Sequence, residues 1–161
     1  MRVVVATRSL AVGAVILGGI VAGFSVNRLL VDLPAWANLG PEQWARFTRN
    51  ADLGKGLVVY PAIGLAALVC SLGAAVLAHF DRSPKSAALP LYLAAVTAVI
   101  AFVVTRFLLA PKILNLRSDS PDFTHLQNAF VLTRHWWHLK AGLHTITFVC
   151  NVWGLIELMS R

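Results

Sequence analysis

The stretch TRHWWHLKAGLHTITFVCN, residues 133–151, decides how this chain is read. At about 100° per residue, Thr133, Trp137, Lys140, His144, Thr147 and Asn151 fall within an arc of about 80°. Leu143, Ile146, Val149 and Cys150 take the opposite side, which suits lipid or bundle packing. A lysine, a histidine and an asparagine at membrane depth are costly unless they face a protein interior or a wet cavity. The stretch therefore reads as a membrane-spanning helix with a polar inner stripe, and that stripe is the candidate site.

Composition agrees with a membrane setting. The chain has 161 residues, 58% hydrophobic and only 13% charged, and its mean hydropathy is +0.71. So few charges at this length point to an integral membrane protein. The net charge of +7 is spread singly near the ends of apolar runs. This pattern fits phospholipid anchors and topology signals, not a nucleic-acid footprint. Cys70 and Cys150 each sit inside an apolar run and read as free thiols acting as small hydrophobes.

Working outward, three further segments are long and apolar enough to span a hydrocarbon core, which needs about 20 residues. They run from Ser9 to Leu30, Leu57 to His79 and Ala87 to Leu109; the polar-striped span runs from Trp136 to Leu158. The expected fold is all-α, a four-transmembrane-helix bundle forming one integral membrane domain over 1–161. The first segment follows Arg2 and Arg8 but is longer than a signal-peptide core and lacks a small-x-small cleavage site, so it reads as a retained helix. Its glycines, Gly13, Gly18, Gly19 and Gly23, predict close helix packing.

The connections are unequal. Asp81–Ser86 is short and makes an antiparallel hairpin. Residues 31–56 contain Gly40-Pro41-Glu42, the expected start of a short interfacial helix with Trp44, Phe47 and Ala51 on its apolar side. Pro111 is expected to end the third span, and Ser120-Pro121-Asp122 to begin an extended fourth helix. Arg2, Arg8, Arg82, Lys85 and Arg161 lie on one membrane face. The other face takes Arg28, Arg46, Arg49, Lys55, Arg106, Lys112, Arg117, Arg134 and Lys140, a bias that places the two long connections in the cytoplasm. The expected location is the plasma (inner) membrane.

The helix ends on that second face bring Arg28, Tyr60, Arg106, Arg134 and Lys140 to one mouth of the bundle. A cationic, aromatic-walled pocket for an anionic or phenolic apolar molecule is one reading; snorkelling side chains that meet headgroup phosphates is the other. His144 lies one turn beyond Lys140 and is a candidate general base, or else a neutral histidine bonded to another helix. Asn151 needs a hydrogen-bond partner, as packing glue or at the cavity bottom. His135 and His138 have a metal-ligand spacing and would need a third donor from His125, His144, Asp119 or Asp122; His144 points away from both, and the expectation is no metal site.

Trp136-Trp137-His138-Leu139-Lys140 resembles the Trp–polar–His–x–basic stretch that opens helix four in the anthrone oxygenase-like family of small four-helix membrane proteins. Gly19–Phe24, Leu33-Pro34 and Pro111–Asn115 match that family's Gly-rich first helix, Pro-containing loop and Pro/Asn stretch. The chain departs at Trp137 and Lys140, where the family pattern has Asn and Arg. The resemblance implies oxygenation of a polycyclic phenolic compound with no cofactor. An anthrone deprotonated to a carbanion can react with dioxygen directly, given a base and a cationic partner for the oxyanion. His144 or His138 would be the base, with Lys140, Arg134 or Arg28 as the cation, and Tyr60, Arg106, Trp137, Thr147 and Asn151 would bind substrate. The expected partners are an apolar aromatic small molecule or lipid and the membrane phospholipids, with a homo-oligomer open. The rival is a non-catalytic protein that binds a lipid, quinone or aromatic, or a partner membrane protein.

Overall fold

A computed structural model describes residues 2–81, 83–117 and 123–160. Arg82, Asp119, Ser120-Pro121-Asp122 and Arg161 lie outside the described residues, as does the side chain of Arg2. The order is α1 (Arg2–Asn27), α2 (Leu33–Leu39), α3 (Pro41–Asn50), α4 (Gly56–Phe80), α5 (Lys85–Val103), α6 (Ala110–Leu114) and α7 (Phe123–Met159). No strand occurs among the described residues. Four helical runs, Val5–Leu39, Pro41–Phe80, Lys85–Arg117 and Phe123–Met159, are long and apolar enough to cross a membrane. The architecture is the expected all-α four-helix bundle. Helix α1 packs beside α4 and α7, and α5 beside the same two, so the four close a ring.

Two of these runs are longer than apolarity alone predicts, and prolines explain how. Pro34 and Pro111 were expected to lie in loops, yet the helix continues through both. Arg28–Asp32 and Val104–Leu109 are widened, π-helical turns. The residue before each proline donates its backbone N–H five residues back, Leu33 to the Arg28 carbonyl and Ala110 to the Thr105 carbonyl. The register shift accommodates the missing N–H of the next residue, so the proline becomes the start of a new α-helical segment. The first run stops at Gly40, whose φ of 91° is a backbone conformation that glycine adopts without a Cβ penalty. Pro41 then opens α3, as the sequence indicated.

The two ends of the bundle are built differently. Toward the short hairpin the core is Ala11, Ala74, Ala75, Ala78, Ala87, Leu91, Ala95 and Leu158, small side chains that let the backbones approach. A Cβ on Gly154 would lie 2.7 Å from the Leu91 side chain, and one on Gly73 2.8 Å from Leu10. These glycines seat α7 on α5 and α4 on α1. Thr7 on α1 donates to the Asp81 carboxylate and secures the turn. Toward the long connections the core is aromatic and bulky: Trp36, Trp44, Phe130, Trp137, Leu109 and Leu116. Here α3 caps the bundle rather than floating on it. Trp44 is 1% exposed and stacks on Phe130 of α7 with centroids 5.4 Å apart. Arg49 donates to the Leu116 carbonyl at 2.6 Å.

Among its described members, this second core contains no residue of α4. The first turns of that helix, 57–62, are exposed on every side. At this end the helix therefore stands away from the aromatic core and touches α1 through Tyr60 and Phe24.

Candidate functional site

Where α4 stands off, the four helices enclose a cavity of about 480 Å³, a volume typical of small-molecule sites. Phe24, Tyr60, Ile63 and Phe102 give it apolar walls, and Arg28, Arg106, Trp137 and Lys140 surround its mouth. His144, Thr147 and Ser71 continue the lining inward. Of the residues singled out from sequence, Arg28, Tyr60, Arg106, Trp137, Lys140, His144 and Thr147 all line this one space. Asn151 is wholly buried and donates from Nδ2 to the Ser71 Oγ at 3.0 Å, so it stands immediately behind the lining.

His138 and Arg134 are placed elsewhere. They line a separate groove of about 560 Å³ with Trp36, Pro41, Gln127 and His135, on the outer side of α7. The helical period accounts for this: Arg134 and His138 lie about 60° and 100° around the axis from Trp137, past the edge of the inner stripe. The His138 Nδ1 bonds to the carbonyl of Arg134 at 2.7 Å, and the His135 Nδ1 to that of Val131 at 3.0 Å. Neither residue reaches the cavity.

Arg28 also plays a part that its sequence position did not reveal. Its guanidinium makes two parallel bonds to Asp52, at 2.8 and 2.9 Å, and its Nε pairs with Asp32 at 3.1 Å. The same group lies 4.8 Å from the ring of Trp36 and 5.0 Å from that of Trp137. A fork-to-fork bond in a 7%-exposed setting satisfies both planar groups at once. Arg28 thus fastens α1, the turn before α4 and α7 together, and its charge is already answered by two carboxylates. Asp32 stands four residues from Arg28, a spacing visible in sequence; Asp52, from across the α2–α3 cap, is not.

Lys140, unlike Arg28, has no carboxylate partner among the described residues. Its Nζ sits 4.4 Å from the Trp137 ring, and no Asp or Glu among the described residues lies within ion-pair distance of it. One turn inward the His144 Nε2 is buried with no hydrogen-bond partner among the described residues. Residues four apart on a helix are side-chain neighbours, so a cation and a buried imidazole nitrogen without a partner lie side by side on residues that line the cavity. Thr147, by contrast, is fully engaged, donating to the Leu143 carbonyl at 2.8 Å and sharing a 2.8 Å bond with Thr97 of α5.

Arg106 and Tyr60 guard the open side. Both are exposed; Arg106 rests 6.0 Å from the Phe107 ring, and Tyr60 meets Phe24 edge-on at 5.9 Å. Cys70 and Cys150 are free. Among the described residues no three His, Cys, Asp or Glu side chains come together as a metal-binding group. Comparison with protein-family models, with curated proteins and with solved structures gives no match to this chain.

Proposed function

We propose that this protein is a membrane-embedded, oxygenase-like enzyme that acts on an apolar phenolic molecule of the anthrone type. The observation that carries the reading is the pairing of an ion-pair-free Lys140 ammonium with the unpartnered His144 Nε2 at the wall of an apolar cavity. Buried polar groups without partners are uncommon in folded proteins, and two together in a cavity mark a site prepared for a ligand.

The chemistry follows from those two groups. His144 removes a proton from the benzylic CH2 of the bound ketone, and the negative charge spreads to the substrate oxygen beside the Lys140 ammonium. Dioxygen adds to the resulting carbanion as the oxidant. The peroxide takes up the proton held by His144 and loses water, leaving a second carbonyl. In sum, CH2 and O2 become C=O and H2O. A positioned base contributes about 10²–10⁴ in rate, and a fixed cation at the developing oxyanion supplies the electrostatic share. Arg28 takes no part in this step, because Asp32 and Asp52 already hold its charge.

The resemblance to anthrone oxygenases belongs to this proposal and rests on the short motifs around Gly19, Pro34, Pro111 and Trp136. So does placement in the plasma (inner) membrane, where the excess of basic residues suits an anionic leaflet. One observation favours the non-catalytic alternative, a site that only binds a quinone, lipid or aromatic. With Arg28 neutralised, Lys140 and Arg106 line the cavity with no ion-pair partner among the described residues, which is enough for holding an acidic ligand.

Oxygen uptake by the purified protein in lipid nanodiscs, with anthrone as substrate, tests the reading. The expected outcome is protein-dependent uptake that falls about 100-fold in His144→Gln, the lower range for loss of a general base. A comparable fall is expected in Lys140→Met. Uptake that is absent in the wild type, or unchanged by both substitutions, defeats it. Saturable anthrone binding without uptake selects the binding-only alternative.

A further inference from the structure

The groove on the outer side of α7 takes no part in that chemistry. It encloses about 560 Å³ between the α2–α3 cap and one face of α7, and no acidic residue lines it. On α7, Gln127, Val131, Arg134 and His138 fall within about 60° of one another, and His135 lines the groove beside them. The cap supplies Trp36 and Ala37 from α2, then Gly40 and Pro41 at the start of α3. Arg134 is exposed and has no ion-pair partner among the described residues. The helix itself orients the two imidazoles. Each Nδ1 faces the carbonyl four residues back, and a carbonyl only accepts, so each Nδ1 carries a proton. Each neutral ring then keeps its lone pair on Nε2, and neither Nε2 has a partner among the described residues.

We propose that this groove binds a phosphate monoester through Arg134, His135 and His138. The planar fork of Arg134 matches two phosphate oxygens. A monoester has a third terminal oxygen, and its last proton leaves at a pH of about 6. That oxygen suits an Nε2 lone pair on whichever atom the proton rests. A P–OH donates to the neutral ring, and a charged ring donates to P–O⁻. A diester brings no such proton, and a carboxylate has only two oxygens, both taken by the fork. Trp36, Phe130 and Val131 add apolar wall, and the volume leaves room for the organic remainder. A lipid headgroup and a water-soluble phosphate share this chemistry. The groove is separate from Lys140 and His144, so the inference does not depend on what the inner cavity does.

Native mass spectrometry of the full chain in mild detergent tests the site with three probes. These are phosphatidate, phosphatidylglycerol with the same acyl chains, and glycerol 3-phosphate. Wild type is expected to hold the monoester lipid about tenfold tighter than the diester, the scale of one added charge-assisted bond. Arg134→Gln is expected to lose about tenfold in monoester affinity. In the double variant His135→Asn, His138→Asn the two lipids are expected to bind alike. Asparagine retains the contact to the carbonyl four residues back, as Asn50 makes with Arg46 at 2.8 Å, and removes only Nε2. All three side chains are exposed, so these substitutions leave the core intact. Arg46→Gln, exposed on α3 outside the groove, and Lys140→Met in the inner cavity are expected to leave the preference unchanged. Glycerol 3-phosphate identifies the source. Saturable binding that Arg134→Gln removes, with no lipid preference, supports a free phosphate; a lipid preference without it supports a headgroup. Wild type showing neither overturns the site. So does monoester binding that survives both groove variants, or that Arg46→Gln or Lys140→Met abolishes.

Discussion

Asp52 is the residue whose loss this fold tolerates least at the mouth. Asp52→Asn keeps the side-chain volume and removes the charge that meets both terminal nitrogens of Arg28. Asp32 alone is left to answer a guanidinium 7% exposed between two indoles. Breaking a buried pair from one side costs about 3–5 kcal/mol. The retained Asp32 contact sets the expectation at the lower figure, about 3 kcal/mol, read from unfolding in mixed detergent micelles. A loss below about 1 kcal/mol, the range of exposed pairs, would show that Arg28 is solvated rather than clamped. The contrast between Arg28 and Lys140 also marks what was legible at this scale. Residue type and helical period placed both at one mouth. They could not say which cation was already spoken for, because that depends on Asp52, 24 residues away on a separate segment. The inner stripe of α7 was readable for a converse reason, as it needs only one helix and a fixed angle per residue. The same angle, applied more strictly, would have separated His138 and Arg134 from it.

Helix α4 begins at a point where the backbone leaves helical geometry. Gly54 has a ψ of −124°, and two residues on, a Cβ at Gly56 would fall 2.6 Å from the Ala51 carbonyl oxygen and 2.7 Å from the Tyr60 ring. Gly56→Ala must therefore displace backbone or the Tyr60 wall of the cavity, and is expected to destabilise by about 1–3 kcal/mol, the usual range for overpacking. Gly23→Ala is the control. Nothing lies within 4 Å of its would-be Cβ, so the expected result is a gain of up to about 1 kcal/mol from helix propensity. Thermal unfolding of the two variants beside wild type decides the matter, and a reversed order would contradict the packing described for α4. Sequence patterning identified the four spans and the short α3 because length, apolarity and Pro at a first turn are local signals. It misjudged Pro34 and Pro111 because a widened turn before each proline lets the helix resume despite the missing N–H. The widened turns at Arg28–Asp32 and Val104–Leu109 have no such local signature in composition.

At the scale of the whole bundle, the asymmetry between its two ends determines how a ligand reaches Lys140. Alanines of α1, α4 and α5, together with Leu91 and Leu158, close the hairpin end. The cap of α2 and α3 covers the other end, held by Trp44 on Phe130 and by Arg28 on Asp52. What remains is the side: α4 leans on α1 through Tyr60 and Phe24, and its first turns take no part in the aromatic core. Tyr60 and Phe102, both exposed, line the cavity from α4 and α5, two of the helices long and apolar enough to cross a membrane. If the proposed function holds, an apolar phenol dissolved in the bilayer would be expected to enter between these two helices without crossing the headgroup layer. Tyr60→Ala widens the opening while leaving Lys140 and His144 in place. It is expected to raise the association and dissociation rates of 2-hydroxyanthracene together, each by several-fold, with the equilibrium affinity changed by less. Stopped-flow energy transfer from tryptophan in nanodiscs measures both rates. If Tyr60→Ala instead leaves both rates alone while loosening the α2–α3 cap through Trp36→Ala accelerates them, ligand passes through the capped mouth. The standing-off of α4 would then be a feature of its packing against lipid and not a door.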